Sequence, residues 1–151
     1  AGLMHSAKEM NDKGLHFSEK AQRELTVFTK ATRDIVNRAV KCFETGDLQM
    51  AASVEPLESA IDSINVKIKN RHIERLQKGE CTIELGFILQ DISTELERVS
   101  DHCSNIAVYQ IQVPQDELDA HEYLQSVRHV SGNTFDVMKQ NYKMLYALPK
   151  E

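Results

Sequence analysis

With 151 residues, 41% of them hydrophobic, the chain is the size of one ordinary domain and carries enough apolar material for a continuous core. Only 6% of the residues are aromatic and there are just 6 Gly and 3 Pro, a balance that disfavours a β-sandwich, and a net charge of −5 lacks the basic face of a nucleic-acid binder. No run of 18 apolar residues is present to span a bilayer, no signal peptide is evident, and Cys42, Cys81 and Cys103 have no zinc-type spacing, so they read as reduced thiols in a cytoplasmic setting.

The apolar residues recur with a helical period throughout. Residues 1–16 lack a sustained period and read as a linker or a short helical lead-in. Leu25, Phe28, Thr32, Ile35, Ala39 and Cys42 then alternate spacings of three and four, with Ser18 placed to cap the helix before Glu19. Gly46 and Asp47 break the pattern. Leu57, Ile61, Ile64 and Ile68 resume it, ending near Gly79 in a position that suits a C-terminal glycine. Pro56 falls inside this second helix, where its missing amide predicts a kink or a restart. Leu85, Leu89, Ile92, Leu96, Val99, Cys103 and Ile106 form the clearest seam. A last amphipathic segment carries Leu124, Val127, Val130, Thr134, Met138 and Leu145 and stops near Pro149. The pattern predicts an all-α, antiparallel up-down bundle of three to four long helices near 17–45, 47–78, 81–111 and 117–147, with 17–151 as the bundle domain.

Two carboxylate columns stand out. Glu58 and Asp62 are four residues apart, with Asn65 three further on; Glu97 and Asp101 repeat the spacing, with Asn105 four further on. Side chains four apart on a helix rise about 6 Å and lie about 40° round the axis, so each set forms a column. Each of Glu58, Asp62 and Glu97 directly follows a seam residue, which rotates it about 100° to the flank of the core. Carboxylates stacked on such a flank repel unless a cation joins them. The simple alternative is a pair of solvated acidic edges answered by Lys69 or Arg98. His72, His102, His121 and His129 are further possible ligands, since imidazole suits transition metals. Arg71, His72 and Arg75 make a basic cluster that fits an anion, an acidic partner or a solvated helix end.

The segment LERVSDHCSNIA (96–107) resembles the LERIGDHxxNIA signature of the PhoU family of phosphate-uptake regulators, and LESAID (57–62) resembles that family's first acidic motif. The stretches HIERLQKGEC and GFILQDISTELERVSDHCSNIA further resemble the PhoU-like domain at the C-terminus of bacterial Na⁺/phosphate cotransporter family proteins. The resemblance implies a PhoU-like, spectrin-repeat-like bundle whose Glu-x-x-x-Asp motifs bind metal ions (iron, zinc, manganese or magnesium) at the bundle surface. By position the metal candidates are Glu58, Asp62, Glu97 and Asp101, with Asn105 as a peripheral ligand. It also implies a non-enzymatic regulator working with, or fused to, a membrane phosphate transporter, and located in the cytoplasm at the inner face of the membrane. PhoU proper has two such repeats and this chain shows one, so a homodimer is the expected way to complete a two-repeat site. Two other functions remain: a carboxylate-bridged di-metal enzyme on a helical bundle, and a metal-free interaction module. Against the enzyme, no Glu has a His three residues later, the pairing such sites use.

Overall fold

The computed structural model describes residues 2–112 and 132–150. Among them are five helices and no strand: α1 (Gly2–Lys13), α2 (Glu19–Thr45), α3 (Leu48–Gln77), α4 (Ile83–Gln112) and α5 (Gly132–Leu145). The all-α bundle expected from the periodicity is the architecture. Residues 2–13, read as a linker or helical lead-in, are a helix packed on α4. The expected seam positions Leu124, Val127 and Val130, and with them His121 and His129, lie outside the described residues.

The boundaries follow local chemistry. The Ser18 hydroxyl accepts the Ala21 amide at 3.2 Å and starts α2. Gly46, at φ 66°, ends α2 by donating its amide to the Cys42 carbonyl at 2.8 Å, in a left-handed conformation that favours glycine. The Asp47 carboxylate then accepts the Gln49 and Met50 amides at 2.9 and 3.1 Å and opens α3 at once. Gly79, at φ 72°, closes α3 with the same backbone geometry. Pro56 neither ends nor restarts α3, which runs unbroken through it, and the proline ring is buried in the core.

Helices α2, α3 and α4 pack mutually, and α5 lies against α3. Glu24 of α2 meets Arg75 near the end of α3, and Arg38 meets Ser53 near its start, so α2 and α3 are antiparallel. Asn65 meeting Glu97, and His72 lying beside Gly86, give the same sense between α3 and α4. The interior is built on Phe28, Ile35, Val54, Leu57, Ile61 and Ile68, each essentially inaccessible. Burying one such side chain contributes about 1.5–3 kcal/mol.

Two seams differ from expectation. In α4, Ile106 is exposed and Ile92 and Val99 only half-buried, while Ser93 and Ser100 are fully enclosed and Ala107 is buried. The inward face therefore runs through small residues at the three-helix junction, where bulky side chains from α2 and α3 already fill the space. In α5, Leu145 and Thr134 are exposed and Tyr142 points inward instead. Tyr142 sits under the Arg38 guanidinium, 5.3 Å from its ring centre, and Tyr146 donates its hydroxyl to Asp34 at 2.7 Å. Tyr142 thus closes the bundle, whereas Val137 is exposed and Phe135 is half-buried.

Candidate metal centre

Helices α3 and α4 bring the two carboxylate columns to the same groove. Glu58 is half-buried and Asp62 more exposed beside it, and the two share a hydrogen bond. Burial, then Asp62, then the charge of Asp101 across the groove push the Glu58 carboxyl up to about 7. Burial also raises Asp62, reinforced by Glu97 and Asp101, although the bond from Glu58 works in the opposite direction. At neutral pH the pair thus holds a proton part of the time and titrates as a unit.

On the α4 side, Glu97 is the best-held of the four. Its carboxylate accepts the Asn65 amide at 3.0 Å across the groove and has the Lys69 ammonium 3.9 Å away. Asp101 is exposed one turn further on. Arg98, the other cation in reach by sequence, turns instead to Glu95 at 3.7 Å. Asn65 is the asparagine that donates to a carboxylate across the groove, whereas Asn105 is exposed on α4. Asn65 continues the column of Glu58 and Asp62 on the helix, so the signal for it was present in the spacing.

The histidines stand apart. His72 is buried at the far end of α3, with Nδ1 3.3 Å from the Cys81 sulfur and Nε2 turned toward Gly86, where an added Cβ would come within 2.7 Å. His102 is exposed, about 100° round α4 from Asp101. The basic cluster of α3 is not a solvated helix end. Arg71 and Arg75 bind Glu24, itself 2% exposed, with contacts of 2.8 Å from Arg71 and 3.0 and 2.5 Å from Arg75. The acidic partner of that cluster is a carboxylate of the same chain.

By donor chemistry the groove suits a hard multivalent cation: all four candidates are carboxylates, and their mutual repulsion falls when a cation enters. The coordination shell is not already closed. Among the described residues no three carboxylates, imidazoles or thiols converge closely enough to hold an ion. A cation here would draw the side chains together and displace the proton shared by Glu58 and Asp62.

Comparison with known proteins locates the groove within a shared region. A family model described as "PhoU domain" matches residues 26–109, a span that includes both columns. The chain is 31% identical over 84 residues to the phosphate-specific transport system accessory protein PhoU homolog 1 of Thermotoga maritima, an alignment covering 56% of this chain and 36% of that protein. The match therefore spans about a third of that relative's length. No solved structure matches significantly.

Proposed function

Because this chain belongs to the PhoU domain family, we propose that it is a regulatory helical domain of phosphate transport whose α3–α4 groove binds a multivalent metal cation. The observation that carries the reading is the Glu58–Asp62 pair, in which a buried edge and the facing Asp101 hold a carboxyl near neutrality. Glu58, Asp62, Glu97 and Asp101 are the ligands in this proposal, with Asn65 positioning Glu97 and Asn105 at the periphery. Oxygen-only ligation favours iron, manganese or magnesium, and zinc also accepts carboxylates. The domain acts by presenting surfaces to a membrane phosphate transporter, fused or separate, and to a second copy of itself. It catalyses no reaction in this reading. No described helix is long and apolar enough to cross a membrane, so the transporter contact would be made by packing against it.

A metal-free interaction module is the competing reading, favoured by the open donor set. One experiment separates the two. Metal added at 100 times its dissociation constant stabilises a folded protein by about 2.7 kcal/mol. Manganese, magnesium, zinc and ferrous iron should be titrated into the wild type and into an Asp62→Asn/Asp101→Asn variant while melting is followed. A rise in melting temperature confined to the wild type supports the metal centre. Equal responses in the two proteins leave these carboxylates as solvated helix edges.

A further inference from the structure

The opposite flank of α3 carries the opposite charge. At about 100° per residue, Lys67 and Arg71 sit about 180° and 220° round the helix from Glu58. They line a cavity of about 120 Å³ between α3 and the end of α5, together with Ser63, Lys143, Tyr146 and Leu148. Among the described residues no carboxylate lines it. Among the described residues, Lys67 and Lys143 have no carboxylate within ion-pairing distance. The two acids bonded to wall residues are already engaged elsewhere: Glu24, held by Arg71, is also held by Arg75, and Asp34, held by Tyr146, is paired with Arg38. Arg71 is further fixed by its bond to the Pro149 carbonyl at 2.7 Å, which ties the C-terminal segment to the cavity rim.

We propose that this cavity, where Lys67, Lys143 and Arg71 converge between α3 and the C-terminal segment, binds one tetrahedral oxyanion of the phosphate type. The chemistry is direct. Ammonium and guanidinium groups form charge-assisted hydrogen bonds to such an ion, and the guanidinium edge is already oriented by Glu24 and Pro149. The two lysines supply mobile donors from facing elements. The Ser63 hydroxyl, which donates to the Ser59 carbonyl at 3.1 Å, can rotate to add a neutral donor. Tyr146 is a wall and not a ligand, because its hydroxyl is committed to Asp34. The volume suits one small ion or the terminal phosphoryl group of a larger molecule. The site is independent of the acidic groove and does not require that groove to hold a metal.

The test is titration calorimetry at constant ionic strength, with chelator present so that adventitious metal cannot carry the anion. Inorganic phosphate and phenyl phosphate are each titrated into the wild type, into Lys67→Gln/Lys143→Gln, and into Lys20→Gln/Lys41→Gln, which removes two exposed cations from α2. Saturable binding to the wild type and the α2 control, weakened about tenfold or more in the cavity variant, is the expected result. Phosphate binding without the ester identifies a free ion as the ligand, whereas binding of both admits a phosphoryl group carried on another molecule. Absence of saturable binding to the wild type, or equal affinity in all three proteins, overturns the proposal. Arg71 is left intact because its loss would strand the buried Glu24.

Discussion

Glu24, on the inward face of α2, and Glu58, on the flank of α3, are both glutamates withdrawn from solvent, and the molecule treats them in opposite ways. Glu24 is 2% exposed yet fully answered, with two guanidinium groups on its carboxylate. Glu58 is only half-buried yet meets other carboxylates, and its carboxyl is pushed up to about 7. The first arrangement joins the far ends of α2 and α3. The second leaves one groove of the same bundle short of positive charge. A matched buried charge costs little once the fold is made but much if its partner is removed, whereas an unmatched one weakens the empty protein and rewards a cation.

The largest effect should therefore come from breaking the matched cluster. Glu24→Leu takes the buried carboxylate away from Arg75, which is 5% exposed, and from Arg71, and unfolding in urea should show a loss of about 3–5 kcal/mol. A triple variant with Arg71 and Arg75 also replaced by methionine should recover much of that loss, because the guanidinium groups that lost the Glu24 carboxylate are then gone as well. A loss under about 1 kcal/mol for Glu24→Leu would place water around the cluster and erase its contrast with the groove.

The acidic pair should respond in the other direction. The folded-state pKa of Glu58 lies above its unfolded value of 4.5, so the folded protein binds more protons between those two values. The pair's contribution is most favourable below about 4.5 and is lost as pH rises through about 7. Without metal, stability should fall with pH across that window, superimposed on the behaviour of other groups. Glu58→Gln should flatten the slope and raise stability at pH 8 by about 1 kcal/mol at most, since solvent screens a half-buried site. Parallel pH profiles for wild type and variant would remove the repulsion from the account.

The two regions also differ in how legible they were. The carboxylate columns could be read because their spacing of four is a helical repeat, and their offset by one residue from the seam placed them on a flank. Which asparagine would help was less clear. Asn65 and Asn105 both trail a column, but only the crossing of α3 and α4 brings one of them to Glu97. Glu24 was missed and Arg75 was read only as part of a basic cluster, although each continues an apolar seam, Glu24 four residues before Phe28 and Arg75 seven after Ile68. A charge at a seam position is a signal that its partner lies on another seam. Finding that partner requires knowing that α2 and α3 run antiparallel with their ends aligned. The inward face of α4 was misjudged for a related reason: periodicity weighted by hydrophobicity selects Val99 over Ser100 and Ile106 over Ala107, while close packing inside the bundle selects the smaller side chain of each pair.

The smallest expected effect isolates the countercharge beside Glu97. Lys69 lies 3.9 Å from Glu97, with both side chains substantially exposed, so as an ion pair it contributes no more than a few tenths of a kcal/mol. Lys69→Met should barely move the urea midpoint of the metal-free protein, in contrast to any change at Glu24. Its effect on metal binding should be larger than its effect on folding, because an ammonium beside the ligands competes with an incoming cation for the same carboxylate. Removing it should tighten manganese binding by about threefold, which is less than 1 kcal/mol, and the gain should shrink in high salt as screening replaces the missing charge. Calorimetry on the two proteins at low and high salt reads both quantities. Unchanged affinity at low salt would place the ion away from Glu97, at the Glu58–Asp62 end of the groove, and would assign Asn65 and Lys69 to holding α3 against α4.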